Sequence, residues 1–513
     1  MVILYHCHNK IQEVVTTKHQ KIDVDKNVTL VKALHNLANQ FPNEIIVWCH
    51  LDYKDYLDLK VIKTIFHHNK IMLSYHPGDH QFLDERIGYV EESVFININK
   101  KVSYPTWQMS SAVGAIHATV LLEIKNSIAL DSNFDYYLNS LAKLAMPLGL
   151  FCYSEPRLLS GEMKLTNSKA DMFTLFKFVK QHYKMRWVFL LVLNIWLYEK
   201  KIMLLPFLYT FCFGKRTNIS INLDAITVQS SKKGLDKTTI DVIIPTIGRK
   251  SYLYDVLCDL RNQTQLPKHV IVVEQNPVEE SVSELDYLIS ESWPFKILHT
   301  FTHQTGACHA RNIALKQVKS DWVFLADDDI VIENNFLAKI NHTINQFPYK
   351  AFTFRCYLKG ETKVFNKIIQ WGTFGSGCSI VNMESLNGSV FSEAYEHGFG
   401  EDSDFGMQLR NKGIDVIYLP EPSILHLKAS IGGFRTKPKL LWQDEDVQPK
   451  PSPTVMLFQL LHKTKTQQLG YKTLLFLKYY NKQSIKKPFK YYRAFKKQWS
   501  QSLNYANQLK NNF

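Results

Sequence analysis

Apolar and polar positions fall into two successive series along the chain. Between residues 1 and 170 the runs MVILYHCH, EIIVWCHL, KIMLSYH and SVFININ alternate with helical patterns such as VTLVKALHNLANQF. Short β-rich runs alternating with helix-period segments predict an α/β layer with a largely parallel sheet. A second series opens at Ile240 with IDVIIPTIGR and continues through HVIVVEQNP, FKILHT and DWVFLADDDIV. Its strands end in polar residues, and an open α/β sheet binds its ligand at that carboxyl edge. Between the series, residues 171–237 hold an apolar helical stretch and then TVQSSKKGLDKTT, which reads as a linker. After Asp446, PKPSPT leads into a Lys- and aromatic-rich helical tail. The expected division is 1–170, 171–237, 238–446 and 447–513.

The middle stretch raises the question of a membrane span. Trp187 to Tyr198 is twelve residues without a charge, Glu199, Lys200 and Lys201 interrupt, and IMLLPFLYTFCF follows. Neither half reaches the roughly 20 apolar residues a spanning helix needs, and the charges would fall at its centre. Two apolar helices hinged near Pro206 fit a membrane interface or a neighbouring domain, but not a crossing.

Composition changes this picture little. At 45% hydrophobic and 21% charged residues the chain is neither disordered nor fibrous, and its 513 residues suffice for two to four domains. The net charge of +14 is a property of the tail, because Val447 to Phe513 carries 13 Lys/Arg and no acid. Interleaved there with Tyr, Phe and Trp, those cations fit peripheral contact with an anionic membrane. A nucleic-acid partner is less favoured, and a solvated helix packed on its own protein stays open. Eight scattered cysteines without a CxxC pair suggest neither a zinc ribbon nor a disulfide framework. The opening MVILYHCHNK has no basic stretch before an apolar run, so no signal peptide is expected and a reducing cytoplasmic setting is the default.

The two series look like distant copies. Trp107 precedes SSAVGAI as Trp371 precedes TFGSGCSI, and FDYYL leads to Glu155-Pro156 as SDFGM leads to Glu421-Pro422. Aligning Asp135 with Asp404 sets Ser132 and Asn133 opposite Glu401 and Asp402. The first copy has no DDD and no His followed by GGxR, so it is expected to keep the fold without the chemistry. Trp48, His50, His76 and Trp107 then read as core and degenerate positions, in a half that binds acceptor or mediates dimerisation.

The second copy carries the chemistry. Asp327, Asp328 and Asp329 follow the apolar strand WVFLA, and three adjacent carboxylates repel one another unless something neutralises them. A divalent cation does so, and hard oxygen ligands suit Mg²⁺ or Mn²⁺ with a diphosphate. Alternation along a strand puts Asp327 and Asp329 on one side and Asp328 on the other, which makes Asp329 the expected metal ligand and Asp327 a ribose or further metal contact.

Six segments occur in the order found in glycosyltransferase family 2: IDVIIPTIGR (240–249), VIVVEQN (270–276), TGACHARNIAL (305–315), FLADDDI (324–330), GFGEDSDFGMQLRNKG (398–413) and ILHLKASIGGFR (424–435). Residues 238–440 resemble that family, and the first half resembles its fold without its motifs. The resemblance implies two GT-A-like α/β domains, the second catalytic, joined by the apolar helical segment and followed by the basic tail. It implies a metal-dependent, inverting transfer from a nucleotide-diphospho-sugar, UDP-linked, to a glycan or lipid-linked glycan.

By the same resemblance, Pro245, Thr246 and Arg249 line the nucleoside pocket. Glu274 stands where the family usually has an Asp that accepts from the base, and Arg311 and Asn312 lie near diphosphate and ribose. Asp402 matches the general base, oriented by Glu401, and an N-terminal helix position would help keep it ionised. His426 is a third metal ligand beside Asp327 and Asp329, and Arg435 clamps the diphosphate. Trp371, Gly375 and Gly377 form the acceptor-side wall. The processive QxxRW motif is represented by Gln408-Leu409-Arg410-Asn411-Lys412, without its Trp, so a processive synthase is disfavoured. A nucleotidyltransferase lacks its Gly-rich basic loop here, and a non-catalytic glycan-binding scaffold would leave Asp402 and His426 unexplained.

Overall fold

The computed structural model describes residues 1–125, 127–161, 169–216, 221–226, 228, 230–231, 238–362, 365–430 and 440–512. The chain forms two compact units, one of Met1–Ser231 with Lys463–Lys482 and one of Lys232–His462 with Gln483–Phe513.

The first unit is built on seven strands: β1 (Val2–Cys7), β2 (Lys10–Thr16), β3 (Ile45–His50), β4 (Ile71–Tyr75), β5 (Tyr104–Pro105), β6 (Val113–His117) and β7 (Phe151–Ser154), in the order β2-β1-β3-β6-β4-β7-β5. β1 and β3 are parallel, β6 runs antiparallel to both β3 and β4, and β7 is again parallel to β4. The central strands bury both faces, which is why they read as continuous apolar runs. The apolar stretch expected as a connector belongs to this unit. Phe176, Phe178, Val188 and Leu191 from the helices Met172–His182 and Met185–Asn194 are in its core. The helix Lys465–Tyr480, started by a Thr464/Gln467 capping box, also packs in this unit.

The second unit has nine strands: β8 (Ile240–Ile247), β9 (His269–Gln275), β10 (Lys296–Thr302), β11 (Trp322–Ala326), β12 (Ile330–Val331), β13 (Ala351–Leu358), β14 (Ile369–Gln370), β15 (Cys378–Asn382) and β16 (Val416–His426). Their order is β10-β9-β8-β11-β15-β13-β16-β12, with β14 paired to β16. β10, β9, β8 and β11 are parallel, β15 is antiparallel to β11 and β13, and β16 is parallel to β13.

Six strands of one unit match six of the other in order and direction: β1, β3, β4, β5, β6 and β7 correspond to β8, β11, β13, β14, β15 and β16. The first unit has the antiparallel hairpin strand β2 where the second has the parallel pair β9 and β10. The repeat seen in the sequence is thus a repeat of topology, and its two copies differ at both edges of the sheet, since β12 of the second unit has no counterpart among the described strands of the first.

Candidate active site

A cleft of about 750 Å³ opens in the second unit along the carboxyl ends of β8 and β11. Pro245, Thr246, Arg249, Arg311, Asp327, Asp328, Asp329, Gly375, Gly377, Glu401, Asp402 and His426 all border it. Residues that lie 180 apart in sequence are brought there because β8 and β11 finish, and β15 and the helix Glu401–Asn411 start, on the same side.

The aspartates of the triplet have distinct hydrogen-bond partners, although Arg249 Nη1 also lies 3.4 Å from Asp329. Asp327 accepts from Arg311 Nη2 at 3.2 Å. Asp328 is buried, accepts from Thr246 Oγ1 at 2.7 Å and Arg249 Nη1 at 2.6 Å, and burial pushes its carboxyl up to about 6. Thr246 and Arg249, expected in the nucleoside pocket, therefore border the cleft while holding Asp328. Asp329 lies 3.2 Å from His426 Nε2 and accepts from the Ala429 amide at 2.8 Å. Its place is fixed by pairing of β12 with β16, which sets Ile330 opposite His426. Ligand atoms of Asp327, Asp329 and His426 all lie within 4.8 Å of one another. Two carboxylates and an imidazole at that spacing fit a divalent cation of the Mn²⁺ or Mg²⁺ class.

Across the cleft, Asp402 accepts from the Ser376 amide at 3.2 Å. Burial raises its pKa, opposed by the nearby Arg311 guanidinium. Glu401 is pushed up to about 7 by burial and by Asp402. Arg311 is itself buried, and its Nε has no hydrogen-bond partner among the described residues. An unfilled guanidinium donor beside two carboxylates fits a site that receives an anion.

Three expected residues stand elsewhere. Glu274 is not in the cleft wall, since its carboxylate accepts from Ser283 Oγ (2.5 Å) and the Glu284 amide (3.1 Å) and pairs with His299 (3.0 Å). Its neighbour Gln275 borders the cleft instead and accepts from the Gly306 amide at 2.5 Å. Asn312 spends its side chain on both backbone groups of Phe391, at 2.8 and 2.9 Å. Trp371 is not a cleft wall either, because its ring packs against Tyr418 and Phe365, at 4.8 and 5.9 Å between centroids. Arg435 lies outside the described residues.

Sequence reasoning missed Glu396, whose carboxylate accepts from the amides of Cys308 and His309 at 3.2 and 3.0 Å and so caps the helix Ala307–Leu315. It also missed Ser376, although the two glycines flanking it mark a stretch where backbone approaches a ligand.

Residues 241–389 match the family model described as glycosyl transferase family 2. They form a family 2 glycosyltransferase domain. An uncharacterized glycosyltransferase of Haemophilus influenzae is 30% identical over 125 residues, which cover 24% of this chain and 41% of that protein. A second from the same organism is 27% identical over 128 residues, 24% of this chain and 50% of that one. The chain thus spans half or less of the length of these curated relatives. Among solved structures, residues 1–349 of S. aureus TarS in complex with UDP-GlcNAc are similar with a TM-score of 0.34 and 17% identity, over 46% of this chain and 70% of that one. GalNAc-T7 with UDP, GalNAc and Mn²⁺ gives 0.32 and 12%, over 40% and 48%.

Three hydrogen bonds around the cleft of the second unit recur at matching positions of the first. His50 N donates to Ala112 O as Asp327 N donates to Gly377 O, at 2.8 and 3.3 Å. Ser110 N donates to Ser74 Oγ as Gly375 N donates to Thr353 Oγ1, at 3.1 and 3.4 Å. Ser111 N donates to Asp135 as Ser376 N donates to Asp402. Asp135 and Asp402 are each the second residue of their helices, Phe134–Ala145 and Glu401–Asn411. Asp135 therefore corresponds to Asp402 and not to Asp404, and His50 and Asp52 stand where the family 2 domain has Asp327 and Asp329.

Proposed function

We propose that the second unit is a metal-dependent, inverting glycosyltransferase that moves a sugar from a nucleotide-diphospho-sugar, UDP-linked, to a hydroxyl of a glycan or lipid-linked glycan. The reading is carried by one observation: the carboxylate of Asp402 and the cluster Asp327, Asp329 and His426 border the same cleft, with Arg311 between them. Asp327, Asp329 and His426 would hold the cation, whose charge would offset that building on the departing diphosphate.

The chain's own residues do the rest. Arg311 offers its unfilled donor to a diphosphate oxygen. Asp402 takes the acceptor's proton as the oxygen attacks the anomeric carbon from the face opposite the leaving group, so the configuration inverts. Glu401, titrating near neutral pH, supplies a hydrogen-bonding neighbour that keeps the pair from carrying two charges at once.

The test is calorimetric titration of the full chain with UDP, GDP and CDP, in Mn²⁺ and in EDTA, beside the variants Asp329→Ala and Asp402→Asn. One nucleotide should bind in Mn²⁺ alone, and Asp329→Ala should abolish that binding. Asp402→Asn should retain it while losing about 10²–10⁴ of transfer to an acceptor. Binding of no nucleotide under any metal condition would leave a non-catalytic glycan-binding protein as the better reading.

A further inference from the structure

The apolar helices of the first unit end in a face that its own core does not cover. The helix Met185–Asn194 runs on through Ile195–Glu199, turns at Lys200 in the left-handed region (φ 58°), and returns as Leu204–Tyr209. Trp196, Ile202, Leu204, Leu205, Leu208 and Phe211 are all exposed, Ile202 by 82% and Leu205 by 69%. Side chains of this kind normally fill cores, and a cluster of them in water marks a surface that meets something apolar.

This face is braced. Phe189 and Phe207 touch across the two helices at 5.3 Å between ring centroids, and Phe173 of the helix Met172–His182 meets Tyr209 at 5.4 Å. Glu199, the one acid between residues 184 and 216, accepts from Arg86 Nε through both oxygens, at 2.9 and 3.0 Å. Along residues 184–216 the exposed ionic groups are then all cations: Lys184, Arg186, Lys200, Lys201 and Lys215. No helix among the described residues is long and apolar enough to cross a membrane.

We propose that this face seats the protein on an anionic phospholipid surface, with the Leu, Ile, Phe and Trp side chains at headgroup depth and the five cations against the lipid phosphates. The charge pattern selects this occupant over a second protein. A plane of phosphates satisfies a rim of one sign, whereas a copy of the same face would set like charges against each other. The inference stands independently of the reading of the second unit.

Vesicle co-sedimentation of the full chain tests it, using phosphatidylcholine vesicles with or without about 30 mol% phosphatidylglycerol, at low and high salt. Binding to the anionic vesicles should be about tenfold tighter than to the neutral ones and should weaken with salt. Leu204→Glu/Leu205→Glu and, separately, Lys200→Glu/Lys201→Glu should each lower it about tenfold or more, with circular dichroism and thermal midpoint unchanged. Equal binding of wild type and both variants would overturn the proposal, as would no binding at all. A dimer in gel filtration that the leucine variant dissolves, without vesicle binding, would assign the face to self-association and overturn it too.

Discussion

Gly377 is where a single methyl group decides the site. A Cβ there would fall 2.0 Å from Asp327 Oδ2, so the carboxylate can hold its present position only because residue 377 has no side chain. Asp327 is the far end of a flexible side chain and can swing away, so Gly377→Ala should fold. It should do so with Asp327 displaced from Asp329 and His426. A displacement of that size is expected to lower kcat/KM about 100-fold and to weaken Mn²⁺-dependent nucleotide binding, with little change in thermal midpoint. Unchanged binding in the calorimeter would mean that Asp327 is not part of the metal set. The separation of Asp328 from its neighbours agrees with the alternation expected from the sequence, although Asp327, Asp328 and Asp329 lie in the turn between β11 and β12 and not in a strand. What Asp328 does was not readable there, because Thr246 and Arg249 reach it from a strand end about 80 residues away.

Among the elements, tertiary contact decided what sequence order could not. Asn312 has the motif's position but serves as a clamp between its helix and the segment at Phe391. Asn312→Ala leaves a backbone N–H and C=O without partners, and should lower stability to urea by about 1–3 kcal/mol per group left buried. A transfer rate per folded molecule that falls with it would restore Asn312 to the binding site. Asp404 is similar, since it accepts from His462 at 2.6 Å and from Gln408 at 2.8 Å and so ties its helix to the helix Pro453–His462. The repeat in the chain was legible as an order of motifs, yet its register was misplaced by two residues. Ser111 and Asp135 are 24 apart, whereas Ser376 and Asp402 are 26 apart. Only the hydrogen bonds to Asp135 and Asp402 show that two extra residues fall between them. Glu274 failed for a related reason: its partner His299 lies on the neighbouring strand β10, a pairing that one strand's sequence does not reveal.

At the scale of the whole molecule, the first unit has a strong pH dependence built into it. Burial pushes His6, His35 and His76 down to about 4 and His68 to about 2. All four are neutral in the folded unit, whereas the unfolded chain takes up protons near pH 6.5. The unfolded state therefore binds more protons below that pH, so their contribution is complete above 6.5 and is lost as the pH falls towards 4. At one pH unit below 6.5 the loss is roughly 1.4 kcal/mol per histidine. Urea unfolding followed at pH 7.5 and 5.5 should show a clear drop in midpoint. A flat profile would mean that these rings are charged in the folded state.

The return of the chain to its first unit has a consequence for synthesis. Residues 463–482 complete a unit whose other residues leave the ribosome about 230 residues earlier. At about 5–20 residues per second, that unit waits roughly 10–50 s without the helix that starts at the Thr464 capping box. The second unit is translated entirely within that interval, apart from residues 483–513. The first unit waits for residues 463–482 and the second for the 483–513 that follow, so a ribosome that stalls before residue 482 leaves both units incomplete at once.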